Sequence, residues 1–185
     1  NIKHLPQSIK AIAGGVFDNR KIEVPINLPN LVSIGINTFR KTNIISIVSL
    51  GKITSIPEAC FDQCSYLESV ILSKDITSIG KYAFRLCLKL VIDELSLPKL
   101  TSIGLRAFQS VKIGKITNLG TITSIPEYCF NNNPNLISVV LPETVTELVK
   151  ERFNACDNLT NFNVRKSTTT MGDSVLANDT SLNIV

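Results

Sequence analysis

Five cysteines, one histidine and fifteen carboxylates are the residues of this 185-residue chain whose types could run catalysis or hold a metal. Their spacing argues against both. Zinc centres use paired C-x-x-C spacings or clustered histidines. Cys60 and Cys64 have C-x-x-x-C spacing, no second pair answers them, and His4 is alone near the start. A nucleophilic triad needs a base, and His4 has no partner motif around it. Glu58, Glu94, Glu127 and Asp157 are scattered, with no recurring pair for general acid–base work. No phosphate-binding glycine loop and no G-x-S-x-G elbow occurs, and Gly14-Gly15 is a turn. The sequence therefore names no catalytic residue, no metal ligand and no cofactor, and it reads as non-enzymatic. Two N-x-[ST] sequons, at Asn158 and Asn178, carry little weight alone.

The elements that position these residues follow one period. Phe17, Phe39, Phe61, Phe84, Phe108, Phe130 and Phe153 are separated by 22, 22, 23, 24, 22 and 23 residues, and Leu176 takes the slot an eighth time. An aliphatic or Met stands five before each: Ile12, Ile34, Ile56, Ile79, Ile103, Ile125, Leu148 and Met171. Gly or Pro at four before marks a bend, as at Pro57, Gly80, Gly104 and Pro126. The best-kept copies continue C-x-x-L-x-x-V-x-L, as Cys64, Leu67, Val70 and Leu72 do. Cys64, Cys87 and Cys156 share the slot three after the Phe, and Cys60 and Cys129 the slot before it. A fixed period in the low twenties means a solenoid of single-coil repeats. No coil buries its apolar side alone, so the seven Phe are expected to form one continuous buried stack.

The motifs Leu67 to Leu72 with Ile79-Gly80, Ala83-Phe84 and Cys87, Leu136 to Leu141-Pro142, and Ser102-Ile103-Gly104 with Ala107-Phe108 resemble the BspA-like, or Treponema-type, leucine-rich repeats. The likeness runs over almost the whole chain. It implies a leucine-rich-repeat solenoid, a right-handed stack of about eight 22–24-residue coils with parallel β-sheets and short helical or 3₁₀ turns. At a strand spacing of roughly 4.8 Å such a stack is about 35–40 Å long. Copies two and five lack the Cys and carry Ile44/Ile47 and Ile113/Ile116 one residue early, which predicts shifted or bulged strands. Copy four carries extra residues around Val91 to Leu97. Residues 1–185 read as a single solenoid domain. Both ends fall inside repeats, so a piece of a longer protein is expected. The resemblance further implies a cell-surface or secreted protein that adheres to a protein ligand, whether host, matrix or another cell.

Within that frame the chemistry-bearing residues become structural. Cys64 and Cys87 fall in adjacent coils within bridging reach, but parallel side chains in a packed ladder do not turn toward each other, so buried free thiols are expected. Thr54, Thr77, Thr101, Thr123 and Thr146 fill one slot, and Ser33, Ser55, Ser78, Ser102 and Ser124 the next. Strand propensity and hydrogen bonds between coils account for that ladder. A net charge of +4 without a basic cluster excludes nucleic acid as partner, and no apolar run is long enough to insert in a membrane. Alternation along the strand points Ser69 and Ile71, Ser138 and Val140, Asn161 and Asn163, and in copy two Ile47 and Ser49, to the outer face of the sheet. This nearly uncharged lane is the candidate ligand-binding face for a protein partner. A spacer that only holds other domains apart, or a glycan-binding repeat, are the alternatives. The missing Trp weighs against the glycan.

Overall fold

The computed structural model of the protein describes residues 1–148, 152–163, 170–171 and 183–184. Leu176 and Asn178 lie outside them. The chain winds as a parallel β-solenoid, and each coil has three sides. On the first side, Ile26–Asn27, Ser46–Ser49 and Ser69–Val70 pair in chain order. Val91–Ser96, Lys112–Asn118, Ser138–Val140, Asn161–Asn163 and Asn183–Ile184 then form a five-stranded sheet. The second side carries two-residue strands at the Ser-Ile position of most copies, although Ser124-Ile125 forms none. Ser55–Ile56, Ser78–Ile79 and Ser102–Ile103 pair in register, as do Ala11–Ile12 with Ser33–Ile34. β-Branched residues at these positions favour extended backbone.

The extra residues of copy four explain why the first side is divided. Leu67 and Leu90 occupy the same place, each donating its N–H to the cysteine carbonyl three residues back. From Leu67 the next core-packed residue is Val70, three on, whereas from Leu90 it is Ile92, two on, followed by Leu95 three further. No strand pairing joins Ser69–Val70 to Val91–Ser96, although Val91 N still donates to Glu68 O.

The third side centres on the Phe. Successive rings from Phe17 to Phe153 stack with centroids 5.2–5.8 Å apart and planes within 16° of parallel, and Phe162 closes edge-on against Phe153. Offset stacking of this kind suits the ring quadrupoles. All but the half-buried Phe17 are sealed from solvent.

This side differs from the helical or 3₁₀ turns that the sequence implied. Among the described residues no helix forms. Only alternate N–H groups close i→i+3 turns, for example Arg40 to Asn37 and Thr42 to Phe39. The N–H groups between them, of Asn37, Phe39 and Lys41, donate instead to Glu58, Cys60 and Asp62 of the next coil. The same trio recurs at Tyr82, Phe84 and Leu86, bonded to Leu105, Ala107 and Gln109. Aiming alternate donors along the stack requires left-handed backbone two residues before and two after each Phe. The positions are Gly15 and Asn19, Asn37 and Lys41, Ala59 and Gln63, Tyr82 and Leu86, Arg106 and Ser110, Tyr128 and Asn132, then Ala155. Left-handed φ costs an L-residue roughly 1–2 kcal/mol. The inter-coil bonds and the ring stack hold the chain there against that cost. Close approach also explains the glycines four before the Phe: a Cβ on Gly104 would lie 2.3 Å from Lys81 N.

Candidate functional site

The sheet side presents an exposed face, and strand alternation decides what it shows. Val139 and Phe162 point into the core, so their neighbours Ser138, Val140, Asn161 and Asn163 lie on the outer side. Ser69 and Ile71 are exposed, Ile71 at 65%. Copy two departs from the sequence-based assignment. Ile47 is 1% exposed and pairs in register with Val70, so it is an inward residue. A one-residue shift reverses the facing of every side chain on a strand. The early placement of Ile44/Ile47 therefore puts Ser46 and Val48 outward, with Val48 at 46% exposure. Ser49 falls at the strand end, where its Oγ accepts the N–H of Gly51 in the turn.

With that register the face resolves into lanes running along the stack. A polar central lane holds Ser46 beside Ser69 in the three-stranded sheet and, beyond the break, Glu94, Lys115, Ser138 and Asn161 in the five-stranded one, neighbours being Cα partners within each sheet. Exposed Ile45 and Ile137 border it on one side. Val48 and Ile71 border it on the other, where Ile71 N bonds Ile47 O. Beyond them lies a small notch of about 90 Å³ between Val48, Leu50, Ile53, Ile71, Leu72 and Ile76. The only charges in the central lane are the facing Glu94 and Lys115, and Glu94 accepts the Thr117 hydroxyl at 2.7 Å.

The cysteine slots serve the turn side. Cys64, Cys87 and Cys156 donate their thiols to the carbonyls of Phe39, Phe61 and Phe130 in the preceding coil, at 3.0–3.3 Å. In copy six the slot holds Asn133, whose Nδ2 donates to both Phe108 O and Phe130 O, while its Oδ1 accepts the Ile113 N–H. In copy two it holds Thr42, bonded to Phe39 O and to the Cys64 thiol. In five copies the slot thus holds a short buried donor, of which Cys is one kind, while copy five fills it with buried Val111 and copy one with exposed Arg20. All five thiols are free and buried. Burial pushes Cys64 up to about 11 and raises Cys60, Cys87 and Cys129 well above the ordinary thiol range. Protonated thiols of this kind are poor nucleophiles and poor metal ligands. The hydroxyl ladder likewise bonds between coils. Thr77 and Thr101 donate to Thr54 O and Thr77 O, and Ser78 to Ser55 Oγ.

One ladder escaped the sequence reading. The residue after each Phe runs Asp18, Arg40, Asp62, Arg85, Gln109, Asn131, Asn154. Arg40 grips Asp18 through two hydrogen bonds, and Arg85 grips buried Asp62 in the same way. Gln109 then bonds Asn131, and Asn131 bonds Asn154 O. The hydrogen bond and charge of Arg40 hold the Asp18 carboxyl below its usual range. Numbering charges from the Phe, rather than counting them, would have found the alternation.

The BspA type leucine rich repeat region matches this chain in six copies, over residues 1–92 and 74–183. No curated protein sequence matches it. Among solved structures it is similar to a leucine rich cell surface protein of Faecalibacterium prausnitzii A2-165. The TM-score is 0.62 and the identity 22%, over 95% of this chain and 42% of that one. It is also similar to the leucine rich repeat protein of T. pallidum, with TM-score 0.54 and 20% identity over 89% of this chain and 67% of that one. At such identities the likeness speaks for the fold. This chain spans less than half the length of the F. prausnitzii protein. With repeat unit, stack and family match in agreement, the chain belongs to the BspA-type leucine-rich repeat family.

Proposed function

We propose that this solenoid is a non-enzymatic binding module of a cell-surface or secreted protein, and that its sheet face recognises a protein partner. The observation that carries the reading is the lane pattern, small polar groups bordered by Ile45, Val48, Ile71 and Ile137 on a rigid stack. Exposed aliphatics grouped on one face mark interaction surfaces, and a nearly uncharged lane suits a flat protein surface better than a phosphate. The family match and the F. prausnitzii cell surface protein support the placement.

The test is a pull-down from surface-biotinylated cells or matrix extract with the chain and with Val48→Arg/Ile71→Arg. Both side chains are exposed, so the double variant keeps its circular dichroism spectrum and melting temperature. A partner retained by the parent and lost by the variant supports the reading. Full retention by the folded variant would remove the sheet face as the site.

A further inference from the structure

A second surface lies at the corner where the turn side meets the sheet. Asn19, Arg20, Lys21, Lys41, Asn43, Ile45 and Tyr66, contributed by three successive coils, line one open depression of about 440 Å³. Its lining holds three cations and no carboxylate. Glu23 sits just outside and pairs with Lys21 at 3.3 Å, which leaves the charge of the depression to Arg20 and Lys41. Neither makes an ion pair among the described residues. Asn43 is already oriented: its Oδ1 accepts the Ile22 N–H at 2.7 Å, and its NH₂ remains a donor. Tyr66 is 56% exposed, and Lys89 of the following coil covers its ring from that side at 5.4 Å. The other lining residues all come from the two preceding coils.

We propose that this depression binds an acidic saccharide. An aromatic face, two carboxamides and unpaired cations match the three kinds of group that such a ligand offers. Its C–H face stacks on Tyr66, whose ring surface is electron-rich. Its hydroxyls take the Asn19 and Asn43 amides, and its carboxylate or sulfate takes Arg20 and Lys41. A phosphopeptide or an inorganic anion would use the cations and leave the ring and amides idle. The shallow, open form suits an inner unit of a polymer rather than an enclosed small molecule. This site shares only Ile45 with the sheet lanes, so it stands or falls separately from the sheet-face reading.

Isothermal titration of the 185-residue chain in physiological salt tests it, with a hyaluronan oligosaccharide, a heparin oligosaccharide, neutral dextran and tripolyphosphate as probes. Heat is expected with hyaluronan, which shows that a carboxylate suffices, or with heparin alone, which shows that sulfate is required, and none with dextran. Arg20→Gln/Lys41→Gln lowers the affinity by about tenfold or more, as charged hydrogen bonds would require. Tyr66→Ala lowers it by roughly fivefold, and Tyr66→Phe preserves it. Lys112→Gln/Lys115→Gln, on the sheet side, leaves it unchanged. The proposal is overturned by silence with both acidic oligosaccharides. It is also overturned if Tyr66→Ala has no effect, if the Lys112/Lys115 variant weakens binding equally, or if tripolyphosphate binds as tightly.

Discussion

Each coil has a side that hardly varies and a side that does. Around the Phe, the six coils from Phe17 to Phe130 repeat one backbone path with the same left-handed positions and the same kind of inter-coil N–H donors. The sheet side uses the same parallel pairing but changes strand length from two to seven residues, breaks once, and shifts by one residue in copy two. The turn side carries buried polar groups that are nearly all matched, Arg106 Nε and Arg152 Nε excepted, because an unmatched buried donor or acceptor is costly. The sheet side faces water, which satisfies whatever the next coil does not. Regularity is concentrated on one side, and the other differs from coil to coil. A binding surface needs that variation.

The largest test of the contrast is Phe84→Ala. It leaves a gap between Phe61 and Phe108 and costs about 3–5 kcal/mol, read as a drop in the urea midpoint. Asn133→Ala comes next. It strips a donor from two Phe carbonyls and an acceptor from Ile113 N, and costs roughly 2–3 kcal/mol by the same measurement.

Alkaline pH probes the same side through the thiols. Folding raises their pKa values, so the native state holds its protons when the unfolded chain has lost them. The contribution is complete below about pH 9, the ordinary thiol value, and declines as pH rises from there toward about 11 for Cys64. Thermal melts at pH 8 and pH 10 should show a smaller drop for Cys64→Ala than for the parent chain. An equal drop would mean that the thiol is not sheltered. The smallest effect belongs to the sheet side, where Val48→Arg alone should move stability by no more than about 0.5 kcal/mol.

The Phe slot, the Ser-Ile strands and the cysteine ladder were all legible in the sequence because each repeats a residue type at a fixed distance. The path of the turn side was not. Asn19, Lys41, Gln63, Leu86 and Ser110 share a left-handed conformation without sharing a chemistry, and neighbouring coils impose it. Ile47 shows the other limit. The early Ile44/Ile47 pair announced a shift, yet counting from the Phe still set it on the wrong face, because pairing with Val70 decides the register. The corner depression was hidden for a third reason. Arg20, Lys41 and Tyr66 stand 21 and 25 residues apart, and only stacking brings them to one corner.

The central claim is that the turn side is a hydrogen-bonded ladder between coils. Native-state hydrogen exchange measures it residue by residue. Lys41, Gln63, Leu86 and Ser110 donate their N–H groups to Asp62, Arg85, Gln109 and Asn131 of the next coil at 2.7–2.9 Å. Their amides should exchange as slowly as that of Ile116 in the sheet, near the limit of global unfolding. Exchange of these four amides at the rate of an open loop, while Ile116 stays protected, would contradict the account.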